Sequence, residues 1–291
     1  MPVGSPRGRR LRRAALSTAV SLFVVLGAQA FGAPGAAGAP EAASAAAPPP
    51  DGPAPAWLVA DLDSGRILGS RDPYAAHAPA STIKALLAMV VMDLVNPAAA
   101  MRATAAETDV ECSCVGLAPG AVYTGRQLLD ALLMVSGNDA ANALADMVGG
   151  SAVAVQRMNL KAYQLGARST RAGSPSGLDG PGWESVTTPH DLAVIYRAAL
   201  SYPLFGQIIR QSTALFPDGR GGAKQIASHD HLLPNYPGFI GGKTGYTSLA
   251  KETYVAMAQQ GGKRLIAVLM YGSDELWDQG RALLNWGFSQ Q

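Results

Sequence analysis

Charge is scarce in this chain. Asp, Glu, Lys and Arg make up only 15% of its 291 residues, where an average soluble protein has about a quarter. Aromatic residues are few as well, at 7%. The formal net charge of +2 misleads, because five of the 23 basic residues are Arg7, Arg9, Arg10, Arg12 and Arg13. Without them, 18 basic residues face 21 acidic ones. No basic patch with interleaved aromatics remains, which excludes a nucleic-acid partner. Only two cysteines are present, too few for a disulfide scaffold or a four-cysteine zinc site. Long apolar runs are missing too. The longest, residues 14–26, is shorter than the ~20 residues of a membrane-spanning helix.

What is present begins with that run. The arginines form a basic n-region, the apolar stretch follows, and Ala28-Gln29-Ala30 gives an A-x-A cleavage pattern. Residues 1–30 read as a signal peptide, so the protein is expected in the cell envelope, the periplasm or the extracellular space. An uncleaved signal would instead leave an N-terminal membrane tether. Residues 31–55 are almost entirely Ala, Pro and Gly and read as a disordered linker. Residues 56–291 are long enough for one domain with a sizeable core.

Within that domain, residues 57–70 read as a β-hairpin turned by Asp63-Ser64-Gly65. Residues 126–148, 151–165 and 188–200 carry helical periodicity. Residues 239–247, 252–259 and 263–271 read as strands, the last two joined at Gly261-Gly262, and residues 274–288 as a closing amphipathic helix. Strands lie at both chain ends and helices between them. The expected fold is α+β: an antiparallel sheet of about five strands built from both ends, with an inserted helical lobe.

The chemistry is concentrated in Ser81-Thr82-Ile83-Lys84, which opens a strongly apolar run. Ser81 and Lys84 fall one helical turn apart on one face. An ammonium entering a buried helix must be paired or lose its proton, and a neutral amine beside a hydroxyl is a base for a serine nucleophile. Spacing alone is weak evidence. With 20 Ser and 6 Lys in the chain, about 0.4 such pairs arise by chance, and Ser248-Leu249-Ala250-Lys251 is a second. Taken singly, Ser81 reads as a helix N-cap, Lys84 as half of a buried ion pair, and Ser136-Gly137-Asn138 as a turn. Context separates the two copies. Ser136-Gly137-Asn138 and Lys243-Thr244-Gly245 follow the first in the order S-x-x-K, S-x-N, K-T-G, described for penicillin-binding proteins and serine β-lactamases.

The chain thus resembles the low-molecular-mass serine D-alanyl-D-alanine carboxypeptidases over roughly residues 57–288. Pro79-Ala80, Met158-Asn159, Pro175-Ser-Gly-Leu-Asp-Gly-Pro-Gly182, Gly242-Lys-Thr-Gly-Tyr-Thr247 and Asn285-Trp-Gly-Phe288 extend the resemblance. It implies a β-lactamase/transpeptidase-like fold and removal of the terminal D-alanine from peptidoglycan stem peptides. It implies an acyl-enzyme on Ser81, with Lys84 as base and Ser136 as proton relay. Asn138, Lys243, Thr244, Gly245, Tyr246 and Thr247 are implied to bind substrate, with the N–H groups of Ser81 and Tyr246 as oxyanion hole. The implied partners are stem peptides and β-lactam antibiotics; no metal or cofactor is called for, and a monomer is expected.

Departures matter. Some members carry an arginine after the last strand that holds the substrate carboxylate; here Ser273 stands at the comparable place, with Lys251 a substitute. Only 46 residues follow Gly245, so a single-domain form without a C-terminal anchor is expected. The main rival, a class A β-lactamase, has S-D-N and a loop glutamate in an E-x-x-L-N context; this chain has Ser-Gly-Asn, and Glu184 is followed by Ser-Val-Thr-Thr. Two further rivals are an endopeptidase or transpeptidase of the same acyl chemistry, and a non-catalytic sensor. Cys112 and Cys114 leave both a disulfide and a contribution to zinc with His229 and His231 open. The plain reading puts those two histidines on a surface loop, and His77 and His190 in structural roles.

Overall fold

β-Branched and aliphatic residues crowd the two chain ends, and there the sheet forms. The computed structural model describes residues 47–290. The expected signal peptide, residues 1–30, lies outside them. Strands β1 (Ala56–Asp61) and β2 (Ile67–Arg71) form the expected hairpin. Its turn is held by Asp61, whose Oδ1 accepts from Ser64 N at 2.7 Å and Ser64 Oγ at 2.8 Å.

The chain then makes a short 3₁₀ turn, Ala80–Ile83, that runs into α1 (Lys84–Leu94). A small ribbon, β3 (Ala100–Arg102) with β4 (Val122–Thr124), brackets the short α2 (Ala105–Thr108). The lobe continues through α3 (Gly125–Met134), α4 (Asn138–Met147), α5 (Ser151–Leu165), α6 (Pro189–Ala199) and α7 (Pro203–Ile208). A second ribbon, β5 (Thr213–Pro217) with β6 (Ala223–Ala227), was not expected from sequence. Strands β7 (Phe239–Thr247), β8 (Lys251–Gln260) and β9 (Lys263–Gly272) and helix α8 (Trp277–Ser289) complete the domain.

The main sheet has five antiparallel strands in the order β2-β1-β9-β8-β7, so the two chain ends meet at β1 and β9. This is the expected architecture. The period-two alternation of the strands divides the core. Leu58, Ile266, Val268 and Met270 face the helical lobe, while Trp57, Val59, Leu265 and Leu269 face Leu283 and Leu284 of α8. Helix α1 is apolar all round, and residues 84–91 are all buried, as a central helix must be. It is the pillar around which the lobe packs.

Two expectations shift. The single helix read over residues 126–148 is two helices, broken at Ser136, whose φ is +60°; a non-glycine residue in that region ends a helix. Residues 47–55 of the expected linker are held against the domain. Ala54 is fully buried, its N–H donates to Gln279 Oε1 at 2.8 Å, Asp51 pairs with Arg71, and Trp286 Nε1 donates to Ala47 O at 2.7 Å. Helix α8 supplies polar partners there that composition alone does not reveal.

Candidate active site

Ser81 sits in the 3₁₀ turn, directly before the buried pillar helix. Ala80, the residue before it, has φ +47°, a conformation that costs a non-glycine residue about 1–2 kcal/mol. Tertiary bonds hold this strained entry. Tyr196 OH donates to Thr82 O at 2.8 Å, and Thr253 Oγ1 lies 3.0 Å from Pro79 O. Together with Ser136, the strain flanks the reactive groups, where such outliers concentrate.

Lys84 is fully buried. Its Nζ donates to Ser81 Oγ at 2.6 Å and Asn138 Oδ1 at 2.7 Å, and lies 3.4 Å from Ser136 Oγ. No carboxylate forms a salt bridge with it among the described residues. Burial, then the Lys243 cation, push its pKa well below the ordinary lysine value, with the Asp139 carboxylate opposing. An amine so placed gives up its proton more readily than an ordinary lysine and lies against a hydroxyl.

The Ser136 turn brings the second group in. Lys243, on β7, donates from Nζ to Ser136 Oγ at 2.8 Å and to Thr244 O at 2.6 Å. Its pKa is lowered to about 7, chiefly by burial, with the Asp230 carboxylate opposing. The two lysines, far apart in the chain, thus converge on one serine hydroxyl. Behind them, the Asp139 carboxylate accepts the N–H groups of Val115, Gly116 and Leu117 at 2.8 to 3.0 Å and anchors the loop beside Asn138.

Strand β7 passes close to the nucleophile because residue 245 is glycine. A Cβ there would stand 2.7 Å from Ser81 N and 2.6 Å from Thr253 Oγ1. The bare backbone keeps the space beside the Ser81 amide open. Thr244, Gly245, Tyr246 and Thr247 all line a cleft of ~420 Å³ together with Ser81, Ser136 and Asn138. Thr247 is also a brace: its hydroxyl donates to Asp179 Oδ2 at 2.8 Å and accepts from Ala250 N. Every site residue expected from sequence is therefore at or beside this cleft.

Several walls of the cleft escaped the sequence reading. Gly177 and Leu178 form one side; the Pro175–Gly182 motif was their signal. His229 and His231 are exposed loop residues, as the plain reading had them, and also line the cleft; His231 stacks on Trp277 at 4.6 Å between ring centres. Nothing local in the sequence marks that wall, since it forms where a loop meets α8. Neither Ser273 nor Lys251 lines the cleft; Glu252 and Glu275 do. Glu184 is not a lining residue either, and its Oε1 accepts from Gly182 N at 3.1 Å. Cys112 and Cys114 are joined in a disulfide, which removes both from any metal set. Among the described residues no cluster of three or more His, Cys, Asp or Glu is arranged to hold a metal ion.

Comparison with known proteins agrees with this geometry. Residues 42–274 match the peptidase S11 family model, described as D-alanyl-D-alanine carboxypeptidase. The chain is 53% identical over 247 residues to D-alanyl-D-alanine carboxypeptidase DacB2 of Mycobacterium tuberculosis, covering 83% of this chain and 84% of that protein. It is 28% identical to DacF of Bacillus subtilis, over 80% of this chain and 61% of the relative. Among solved structures, a D-alanyl-D-alanine carboxypeptidase from M. tuberculosis superposes with a TM-score of 0.82 at 52% identity, covering 84% of this chain and 95% of that one. The Streptomyces K15 DD-transpeptidase gives 0.77 at 28% identity, over 84% of this chain and all of that one. The chain belongs to the D-alanyl-D-alanine carboxypeptidase family of serine peptidases, hydrolases that work through an acyl-enzyme.

Proposed function

We propose that Ser81 is the nucleophile and Lys84 its base in removing the terminal D-alanine from peptidoglycan stem peptides. The Ser81 hydroxyl attacks the carbonyl carbon of the penultimate D-alanine and passes its proton to the neutral Lys84 amine. The N–H groups of Ser81 and Tyr246 receive the oxyanion; one such donor is typically worth about 10²–10³ in rate. Ser136, between the two lysines, delivers a proton to the departing amine. Asn138 and the β7 edge from Lys243 to Thr247 hold the peptide, with the Thr244 hydroxyl and the Lys243 charge receiving its terminal carboxylate. Water then releases the acyl group. β-Lactams acylate the same serine, and because Glu184 is turned to its own loop, the adduct is long-lived.

The observation that carries this reading is the buried Lys84 amine, 2.6 Å from Ser81 Oγ and without a carboxylate ion pair among the described residues. The resemblance and the exported character of residues 1–30 support an enzyme acting in the cell envelope as a monomer. The mature domain begins within residues 47–56. Among the described residues no helix is long and apolar enough to cross a membrane.

Mass spectrometry after penicillin addition, followed over time, tests the proposal. One adduct on Ser81 that persists for many turnover times is expected, absent in Ser81→Ala along with D-alanine release. Labelling of another serine overturns the assignment, and rapid loss of the adduct makes the protein a β-lactamase instead.

A further inference from the structure

Among the features at the cleft that the proposed reaction does not use is the Cys112–Cys114 disulfide, whose Cys112 is a lining residue. It spans a single residue, Ser113, in the irregular loop between α2 and β4. That loop carries the groups that orient Asn138. The Asn138 N–H donates to Ser113 O at 2.6 Å, and its Nδ2 donates to Glu111 O at 2.7 Å. Its Oδ1 in turn accepts from Lys84 Nζ at 2.7 Å. Ser113 Oγ also reaches Val135 O, at 3.3 Å, next to the strained Ser136.

We infer that the Cys112–Cys114 disulfide is a positioning element of the active site, fixing the Glu111 and Ser113 carbonyls that aim Asn138 and, through it, Lys84. Helix α4 begins at Asn138 without a side-chain cap, so Ser113 O is what receives its first N–H. The far half of the loop is held by Asp139 through the amides of residues 115–117. The near half contains no regular element, and the disulfide ring restrains it. Freed of the ring, residues 112–114 and the adjoining Glu111 carbonyl gain backbone freedom. Displacement of a positioned catalytic group by about 1 Å can cost ~10²-fold in rate.

Cys112 is exposed and lines the cleft, while Cys114 is half-buried. A dithiol can therefore act on the bond from the cleft side. Its thiolate attacks Cys112 Sγ, the S–S bond breaks, and Cys114 leaves as a thiolate and takes up a proton. The second thiol then displaces Cys112, and the dithiol ends as its own disulfide. Two electrons and two protons pass to the protein. The enzyme is consequently most active in an oxidising compartment and is attenuated by reduction.

The test rests on the proposed roles of Ser81 and Lys84, so the oxidised enzyme is first shown to label on Ser81. Label elsewhere refutes that active-site reading itself. The acylation rate of wild type by a fluorescent penicillin is then measured across pH, before and after anaerobic treatment with dithiothreitol, alongside the Cys112→Ser/Cys114→Ser double variant. The expected result is a ~10- to 100-fold lower rate in the reduced protein, reversed by reoxidation in wild type only. The pH profile separates positioning from simple loss of folded protein. Lys84 faces the Lys243 cation from β7 and the Asp139 carboxylate from α4, and its remaining contacts are the uncharged Ser81, Ser136 and Asn138. The Asn138 oxygen favours the ammonium form, so loosening it lowers the Lys84 pKa and moves the acidic limb to lower pH. A reduced, folded enzyme with unchanged rate and limb overturns the inference. So does a fall in rate with an unmoved limb, or two free thiols in the native exported protein. Reduced wild type supplies the measurement should the double variant fail to fold.

Discussion

The chain writes Ser-x-x-Lys twice, and the two copies share little beyond spacing. Ser81 and Lys84 lie where a strained 3₁₀ turn enters a buried helix, and Lys84 is 0% exposed. Ser248 and Lys251 lie at the tight connection from β7 to β8, both exposed, and Lys251 has φ +56°. At the first copy Nζ is 2.6 Å from the hydroxyl and a second lysine stands behind. Burial and a neighbouring cation both disfavour the ammonium, which is how a lysine becomes a base near neutral pH. At the second copy water solvates the side chain. The comparison teaches that the spacing brings two groups within reach, while the surroundings decide whether one can take the other's proton.

The sharpest way to break this comparison is to remove each lysine in turn. Lys84→Met should lower the rate of penicillin acylation by ~10³- to 10⁴-fold, the upper range for loss of a general base, while Lys251→Met should stay within about twofold of wild type. Comparable losses in both would refute the distinction. Next in size is Gly245→Ala, on the strand that passes the first tetrad before leading to the second. Its Cβ would stand 2.7 Å from Ser81 N, so kcat/KM should fall by ~10²-fold through the oxyanion contact, with the disulfide and overall helicity retained. An unchanged kcat would show that the close approach has no catalytic role.

Smaller, and continuous, is the effect of pH. Lys84 and Lys243 both have lowered pKa values, Lys243 about 7. Each is therefore neutral at a pH where an ordinary lysine is charged. Activity that requires neutral Lys84 is present above its pKa and falls ~10-fold per pH unit below it. A flat acylation profile down to pH ~4 would contradict a lysine base.

Much of the fold was legible because it rests on local pattern. The period-two runs at 57–70 and 239–271 gave a sheet made from both chain ends, and the Gly261-Gly262 turn has φ +55° and +80°, as a two-residue hairpin requires. The break at Ser136 was signalled only by the turn chemistry of Ser136-Gly137-Asn138, because a helical period continues across it. The docking of residues 47–55 was hidden by their composition, as their partners Gln279 and Trp286 lie at the other end of the chain. His229, His231 and Trp277 carry no shared motif, so only the packing of α8 on the sheet reveals them as one wall.

The residue types and their order pointed to the reaction class, because S-x-x-K, S-x-N and K-T-G, in that order, carry the resemblance to the family. The two-ended sheet followed from hydrophobic period. Tertiary structure alone shows that the Lys84 amine is buried against the Ser81 hydroxyl, that the two cysteines join within the loop whose carbonyls receive Asn138, and that neither Ser273 nor Lys251 lines the cleft. The physical reason is common to all three. A pKa, a strained loop and a charged pocket depend on the dielectric and the partners around a group, and those are assembled from segments more than 50 residues apart.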